Sequence, residues 1–328
     1  MKTFFIQNPS AQIAVSKLIF GTTYLGNMDD YAPGFEQMDC YFELGGRCID
    51  TARIYSNFEP SDKRPSEEVI GEWVHDNGVR KELVLSTKGG HPAYGHMDKP
   101  RLSSAELRED LSRSLEALQT DYADIYWLHR DDERVPVGSI METLHSFVKT
   151  GEVRFLGASN WSLKRIAEAN AYAVEHGLTP FSASQIQWSY ATATPTDMGD
   201  ETLVCVNKEI YAAHLQSHLP IFAFEAQAKG FFSKISTMPE EALPAKVRKR
   251  FLNPTNRALN LAKADKVQTL CRKYGVTPAV ISLAYITCNP VQAGAIFGCS
   301  NLAQLKENMS AMDFELSADD ITWMMKNE

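Results

Sequence analysis

Residues 123–160 read ADIYWLHRDDERVPVGSIMETLHSFVKTGEVRFLGASN, and this stretch contains one complete unit of the fold. An apolar run, Ile125–His129, gives way to turn residues and then to Ile140, Leu144, Phe147 and Val148, which recur at helical spacing. Gly151 is a helix stop signal, and a second apolar run, Phe155–Ser159, follows it. Strand, helix and strand in succession make the two strands parallel, because the helical crossover carries the chain back to the end where it began.

The pattern extends in both directions. Further short runs lie at Lys17–Thr22, Arg47–Thr51, Leu83–Thr87, Ser184–Trp188, Ile221–Phe224 and Ala293–Phe297. Helices are predicted over Met38–Leu44, Ser66–Asn77, Leu163–His176, Lys263–Tyr274, Pro278–Asn289 and Leu302–Met312. Leu107, Leu111, Leu115 and Leu118 share a face behind Ser103-Ser104 and an acidic first turn, a helix-start signature. Eight strands alternating with helices predict an α/β fold, a single (β/α)8 TIM barrel occupying 1–328 as one domain. An open doubly wound sheet would carry Gly-x-Gly-x-x-Gly after a strand, and neither that nor Gly-x-x-x-x-Gly-Lys-Ser/Thr occurs. Residues 231–258 read as a long polar insertion after the seventh strand and a candidate lid.

The 328 residues carry 33 Lys+Arg against 41 Asp+Glu, a net charge of −8, which argues against nucleic acid as a partner. The basic cluster Lys246 to Arg250 reads as a solvated helix face, with a minority reading in which one cation reaches bound phosphates. Phe4-Phe5-Ile6 is too short for a secretory segment, and no window approaches the roughly 18 apolar residues of a membrane span. Cys40, Cys48, Cys205, Cys271, Cys288 and Cys299 form no Cys-x-x-Cys pair, so free thiols and a cytoplasmic, reducing location are expected.

In such a barrel the reactive side chains project from the C-terminal strand ends. Those ends carry Asp50 and Tyr55, then Lys88, then His129, with Ser159-Asn160, Gln185, Phe224 and Gly298 on later strands. The first four suit carbonyl reduction. A hydride arriving at a carbonyl leaves an alkoxide that needs a proton, and a phenol can donate one once a neighbouring Lys⁺ stabilises its phenolate. An Asp keeps the ammonium charged and aimed, and a His donates a hydrogen bond to the carbonyl oxygen. No activated nucleophile is evident, so the set reads as proton plus hydride transfer rather than hydrolysis.

Gly45-Gly46-Arg47-Cys48-Ile49-Asp50-Thr51-Ala52-Arg53-Ile54-Tyr55, continued by Ser66-Glu67-Glu68-Val69-Ile70-Gly71, resembles the signature of the aldo-keto reductases. Ser86-Thr87-Lys88, Asp124 to His129, and Gly151 to Asn160 match that family's later motifs, and the likeness runs from about Lys17 to about Asn308. The resemblance implies NAD(P)H-dependent reduction of an aldehyde or ketone to the alcohol. It assigns Tyr55 as general acid/base, Lys88 and Asp50 as its tuning pair, and His129 as the group that orients the carbonyl. It also implies that Ser159, Asn160 and Gln185 hold the nicotinamide carboxamide while Phe224 stacks on the ring. Glu225, Ala226, Gln227, Ala228 and Lys229 occupy the pyrophosphate-binding place, with Glu225-Ala226-Gln227 where family members usually have Ser-Pro-Leu.

Gly298, Ser300, Gln304 and Asn308 fall in the turn that in the family holds the adenosine 2′-phosphate and adenine. NADPH-specific relatives place Lys or Arg there, so NADP is expected on family grounds and NAD stays open. Gly21, Thr22 and Tyr24, just past the first strand, complete the cofactor set together with Asp50. Tyr24 and Trp161 are expected to touch substrate beside Tyr55 and His129. Arg130-Asp131-Asp132 would form a polar rim, a hint of a sugar-derived carbonyl. His91 and His96 read as loop residues that edge the site.

Two other readings stand beside this one. A nicotinamide-binding regulatory module resembling the potassium-channel β subunits would carry the same four residues, and the absence of an N-terminal extension weighs against it. A metal-dependent barrel enzyme would use a pair such as His214 and His218. Leu215-Gln216-Ser217 between them lacks the Glu of His-Glu-x-x-His, and an exposed helical face is the expected setting. The partner is a small-molecule carbonyl, and no residue marks an oligomer interface.

Overall fold

The computed structural model describes residues 2–27, 30–56, 64–93 and 95–326. All eight apolar runs become parallel strands of one closed barrel. Two further strands, β1 (Thr3–Asn8) and β2 (Ala11–Ser16), precede them as an antiparallel hairpin. The barrel strands are β3 (Leu18–Gly21), β4 (Cys48–Asp50), β5 (Val84–Gly89), β6 (Ala123–Leu128), β7 (Val153–Ser159), β8 (Phe181–Gln187), β9 (Ile221–Phe224) and β10 (Ala293–Phe297). Each pairs with its sequence neighbour, and β10 closes the ring between β9 and β3.

The hairpin was hidden in the sequence because only alternate residues face inward. Phe4 and Ile6 are buried while Phe5 between them is 49% exposed. Phe4, Ile6 and Val15 join Ile19, Cys48, Ile125, Phe155 and Phe222 in one apolar cluster, so the hairpin plugs the end where the strands start. Above it Trp127 fills the barrel interior, opposite Gly157 on the adjacent strand. A Cβ on Gly157 would come within 2.1 Å of the indole, so that position has to be glycine.

Helices cover the outside. Ser66–Asn77 spans the expected residues, and Ser103 caps Ser104–Ala117 through a reciprocal bond with Glu106. The helix expected from Lys263 begins earlier, at Arg257. Ala318–Met325, capped by Ser317, was not expected at all. The stretch 231–258 is not a structureless connection. It forms helices Phe231–Ile235 and Ala245–Phe251, and Phe231, Phe232, Leu243, Val247 and Phe251 are buried in the main apolar core. With Leu252, six apolar side chains dock a segment whose average composition is polar.

All six cysteines are free thiols. No helix among the described residues is long and apolar enough to cross a membrane.

Candidate active site

The C-terminal strand ends bring the expected side chains together. Asp50 is the last residue of β4, and Lys88 lies near the end of β5, one strand over. Lys88 Nζ donates to Asp50 Oδ2 at 2.6 Å and to the Thr51 carbonyl at 2.6 Å. The other carboxylate oxygen accepts from Ser86 Oγ at 2.7 Å and from Gln185 Nε2 at 3.0 Å. Asp50 is thereby satisfied on both oxygens although only 2% of it is exposed.

Tyr55 sits in the turn after β4, its N–H donating to the Ala52 carbonyl at 3.0 Å. Its ring centroid lies 4.7 Å from Lys88 Nζ and 5.8 Å from the edge-on ring of His129. Burial works against the Lys88 ammonium, but Asp50 and Tyr55 outweigh it and hold its pKa above the ordinary lysine value. The lysine is therefore charged at neutral pH. His129 is the opposite case, pushed well below the usual histidine range by burial first, then by His91, Arg130 and Lys88. It is a neutral imidazole, and its Nδ1 has no hydrogen-bond partner among the described residues.

Asp50, Tyr55 and His129 open onto a cavity of about 980 Å³ at the mouth of the barrel, with Lys88 buried behind them. Every expected cofactor residue lines that cavity except Ala228, which is wholly buried. Asn160 takes a positive φ of 59° and is held by its own contacts: Nδ2 donates to Ser159 Oγ at 3.2 Å, and Oδ1 accepts from the Val204 N–H at 3.2 Å. Thr22 Oγ1 donates to the Asp50 carbonyl at 2.9 Å, tying the end of β3 to the same centre. At the far side Gln304 Oε1 accepts from the Ser300 N–H at 2.9 Å, and Gln227 Nε2 donates to Asn308 Oδ1 at 2.6 Å.

Several expectations need correction. Trp161 does not wall the cavity: it is 1% exposed, packs edge-on against Phe181, and its indole N–H donates to the Arg130 carbonyl at 3.2 Å. Of the expected polar rim only Arg130 faces the cavity. Asp131 pairs with Arg165 and Asp132 with Arg134. His214 is not on an exposed face but 1% exposed, with Nδ1 at 3.0 Å from the Leu219 carbonyl, and no metal-binding cluster of His, Cys, Asp or Glu exists among the described residues.

The basic cluster is only partly solvated. Arg250 is buried and grips Glu225, with Nη1 at 2.7 and 2.9 Å from the two carboxylate oxygens.

His91 is more central than its loop position implied. It lines the cavity with its ring centroid 4.6 Å from that of His129, and burial followed by Arg130 brings its pKa down to about 4. Sequence reasoning passed over Ser233, Lys234 and Thr237, which also line the cavity. They lie three to seven residues past Gly230, and a cation one turn past a glycine in the expected phosphate place was the available signal.

The chain has clear relatives. A model of the aldo/keto reductase family matches residues 17–326. An aryl-alcohol dehydrogenase of Pestalotiopsis microspora is 29% identical over 95% of this chain and 79% of its own length. A norsolorinic acid reductase of Emericella nidulans is 30% identical over 96% of this chain and 79% of its own. Among solved structures, a thermostable aldo-keto reductase in complex with the inhibitor epalrestat superposes with a TM-score of 0.72 at 19% identity, covering 99% of this chain and 98% of that one.

Proposed function

The chain belongs to the aldo/keto reductase family, and from that premise we propose that it reduces an aldehyde or ketone to the alcohol, with NADPH as the favoured dinucleotide. The observation that carries this reading is the buried Lys88–Asp50 pair set 4.7 Å beneath the Tyr55 ring, beside a neutral His129.

The residues present fit a dinucleotide. A Cβ on Gly298 would meet nothing nearer than the Gly21 carbonyl at 4.0 Å, so the cavity stays open where an adenosine would pass. Ser159, Asn160 and Gln185 would hold the carboxamide, Phe224 would lie against the ring, and Gly298, Ser300, Gln304 and Asn308 would receive the adenosine end. When bound, the nicotinamide supplies the hydride. Lys229 and Lys234 line the same cavity and supply the positive charge that Gly298, Ser300 and Gln304 do not, which favours the extra phosphate of NADPH.

Tyr55 delivers the proton to the nascent alkoxide. The charged Lys88 stabilises the phenolate left behind, and Asp50 prevents that ammonium from losing its proton in a buried setting. The unpartnered Nδ1 of His129 favours the tautomer with its proton on Nε2, since a buried acceptor tolerates isolation better than a buried N–H. Nε2–H is then the donor that meets the carbonyl oxygen. Substrate enters beside Tyr24, which is 62% exposed, and beside His91. That aromatic edge, together with relatives named for aryl alcohols and norsolorinic acid, supports an aromatic carbonyl over a sugar.

Oxidation of NADPH and NADH should be followed at 340 nm (the reduced-nicotinamide band) with aromatic aldehydes, aromatic ketones and aldoses. Tyr55→Phe is expected to lower turnover by about 100-fold or more. Near-wild-type turnover in that variant would sink the assignment.

A further inference from the structure

The loop after β9 is strained and clamped. Glu225, Ala228 and Lys229 hold φ values of 54°, 49° and 54°, a left-handed conformation that side chains bearing a Cβ adopt only when their surroundings enforce it. The enforcement comes from 25 residues downstream. Arg250, on helix Ala245–Phe251, meets both oxygens of Glu225 with Nη1 at 2.7 and 2.9 Å and donates from Nη2 to the Met198 carbonyl at 3.3 Å. Its side chain is 9% exposed and does not face the cavity.

The same carboxylate has a second cation. Lys229 Nζ is 3.1 Å from Glu225 Oε1, and Lys229 does line the cavity, with its side chain 26% exposed. Lys234 Nζ donates to the Lys229 carbonyl at 2.5 Å and pins the loop from the other side. Glu225 is thus shared between one buried cation with nowhere to go and one half-open cation beside the expected phosphates.

We propose that Arg250 is a positioning residue for dinucleotide binding: it retains the Glu225 carboxylate, so that Lys229 can leave Glu225 for the phosphates. The inference rests on the cofactor reading above. Without Arg250, Lys229 is the main counter-charge of Glu225, and a carboxylate with one partner fewer stands beside incoming phosphates. Helix Ala245–Phe251 then acts on the cofactor through the charge of Arg250, which does not line the cavity.

The test is NADPH binding to the full-length protein, followed by quenching of tryptophan fluorescence, with thermal melts to verify folding. Arg250→Met is expected to raise Kd about tenfold or more, and adding Glu225→Gln to it should bring Kd back to within about threefold of wild type. Arg250→Lys keeps a charge but loses the two-pronged grip, so it should raise Kd about threefold, again reversed by Glu225→Gln. A purely structural arginine would show no such rescue. Unchanged Kd in both arginine variants, or a loss that Glu225→Gln leaves in place, overturns the proposal. Failure of wild-type protein to bind either NADPH or NADH overturns instead the cofactor reading beneath it.

Discussion

Glu67 offers a direct measurement of what burial costs this fold. It lies in the first turn of helix Ser66–Asn77 and is fully buried, one oxygen accepting from Thr87 Oγ1 at 2.5 Å and the other without a partner. Burial raises its pKa from 4.5 to about 7, the hydroxyls of Thr87 and Ser114 and the charge of Arg53 only partly opposing it. Between pH 4.5 and 7 the native carboxyl keeps a proton that the unfolded one has lost. The native state then binds more protons, and raising the pH through that window destabilises it. The shift of about 2.5 units, at about 1.4 kcal/mol each, makes the loss about 3 kcal/mol, complete above pH 7.

Glu67→Gln removes the titration. Its amide oxygen can still accept from Thr87, and its NH₂ adds a pH-independent offset by taking the unpartnered place. Urea unfolding of both proteins from pH 5 to pH 8 should therefore show the variant gaining on wild type by about 2–3 kcal/mol as pH rises. A difference constant to within about 0.5 kcal/mol over that range would refute the reasoning.

Three other substitutions test separate parts of the structure. Asp50→Asn leaves the Lys88 ammonium buried among neutral acceptors, and losing one partner of a buried pair costs about 3–5 kcal/mol; an unchanged urea midpoint would contradict that. Gly157→Ala drives a Cβ into the Trp127 ring, so about 1–3 kcal/mol of stability and the near-ultraviolet tryptophan signal should be lost together. Trp161→Phe gives up one hydrogen bond worth about 1 kcal/mol and should leave KM for the aldehyde within about twofold, because the indole faces the core. A large rise in KM would restore Trp161 to the substrate wall.

The barrel was legible because its strands are buried on both faces and so stand out as continuous apolar runs. Ile221–Phe224 and Ala293–Phe297 match their strands end for end. The hairpin escaped because its strands have one buried and one open side, and six residues of alternation beside a charged terminus look like noise. The segment 231–258 escaped for a related reason: its six buried apolar side chains are spread over residues 231–252, too thinly for a local average to register.

The site divides along the same line. Asp50, Lys88 and His129 could be read from the chain because each sits at or just past a strand end, and the barrel's topology brings strand ends together whatever the loops do; Tyr55 could be read because it follows Asp50 closely in the turn after β4. Trp161 was misassigned because two residues past the end of β7 the chain has already turned outward, and its ring follows the turn into the core beside Phe181. Glu225 shows the limit most clearly. In the sequence it is an acid in a phosphate-binding place, an apparent conflict. Its resolution lies in Arg250, part of a cluster that reads as a solvated helix face, where alternate residues differ in fate: Lys246, Arg248 and Lys249 are exposed, while Val247 and Arg250 turn inward. Helical periodicity places Arg250 on the same side as Val247, and that side packs toward the barrel. The charge that matters is therefore the one that a composition count assigns to solvent, and the helix phase, not the number of cations, decides which it is.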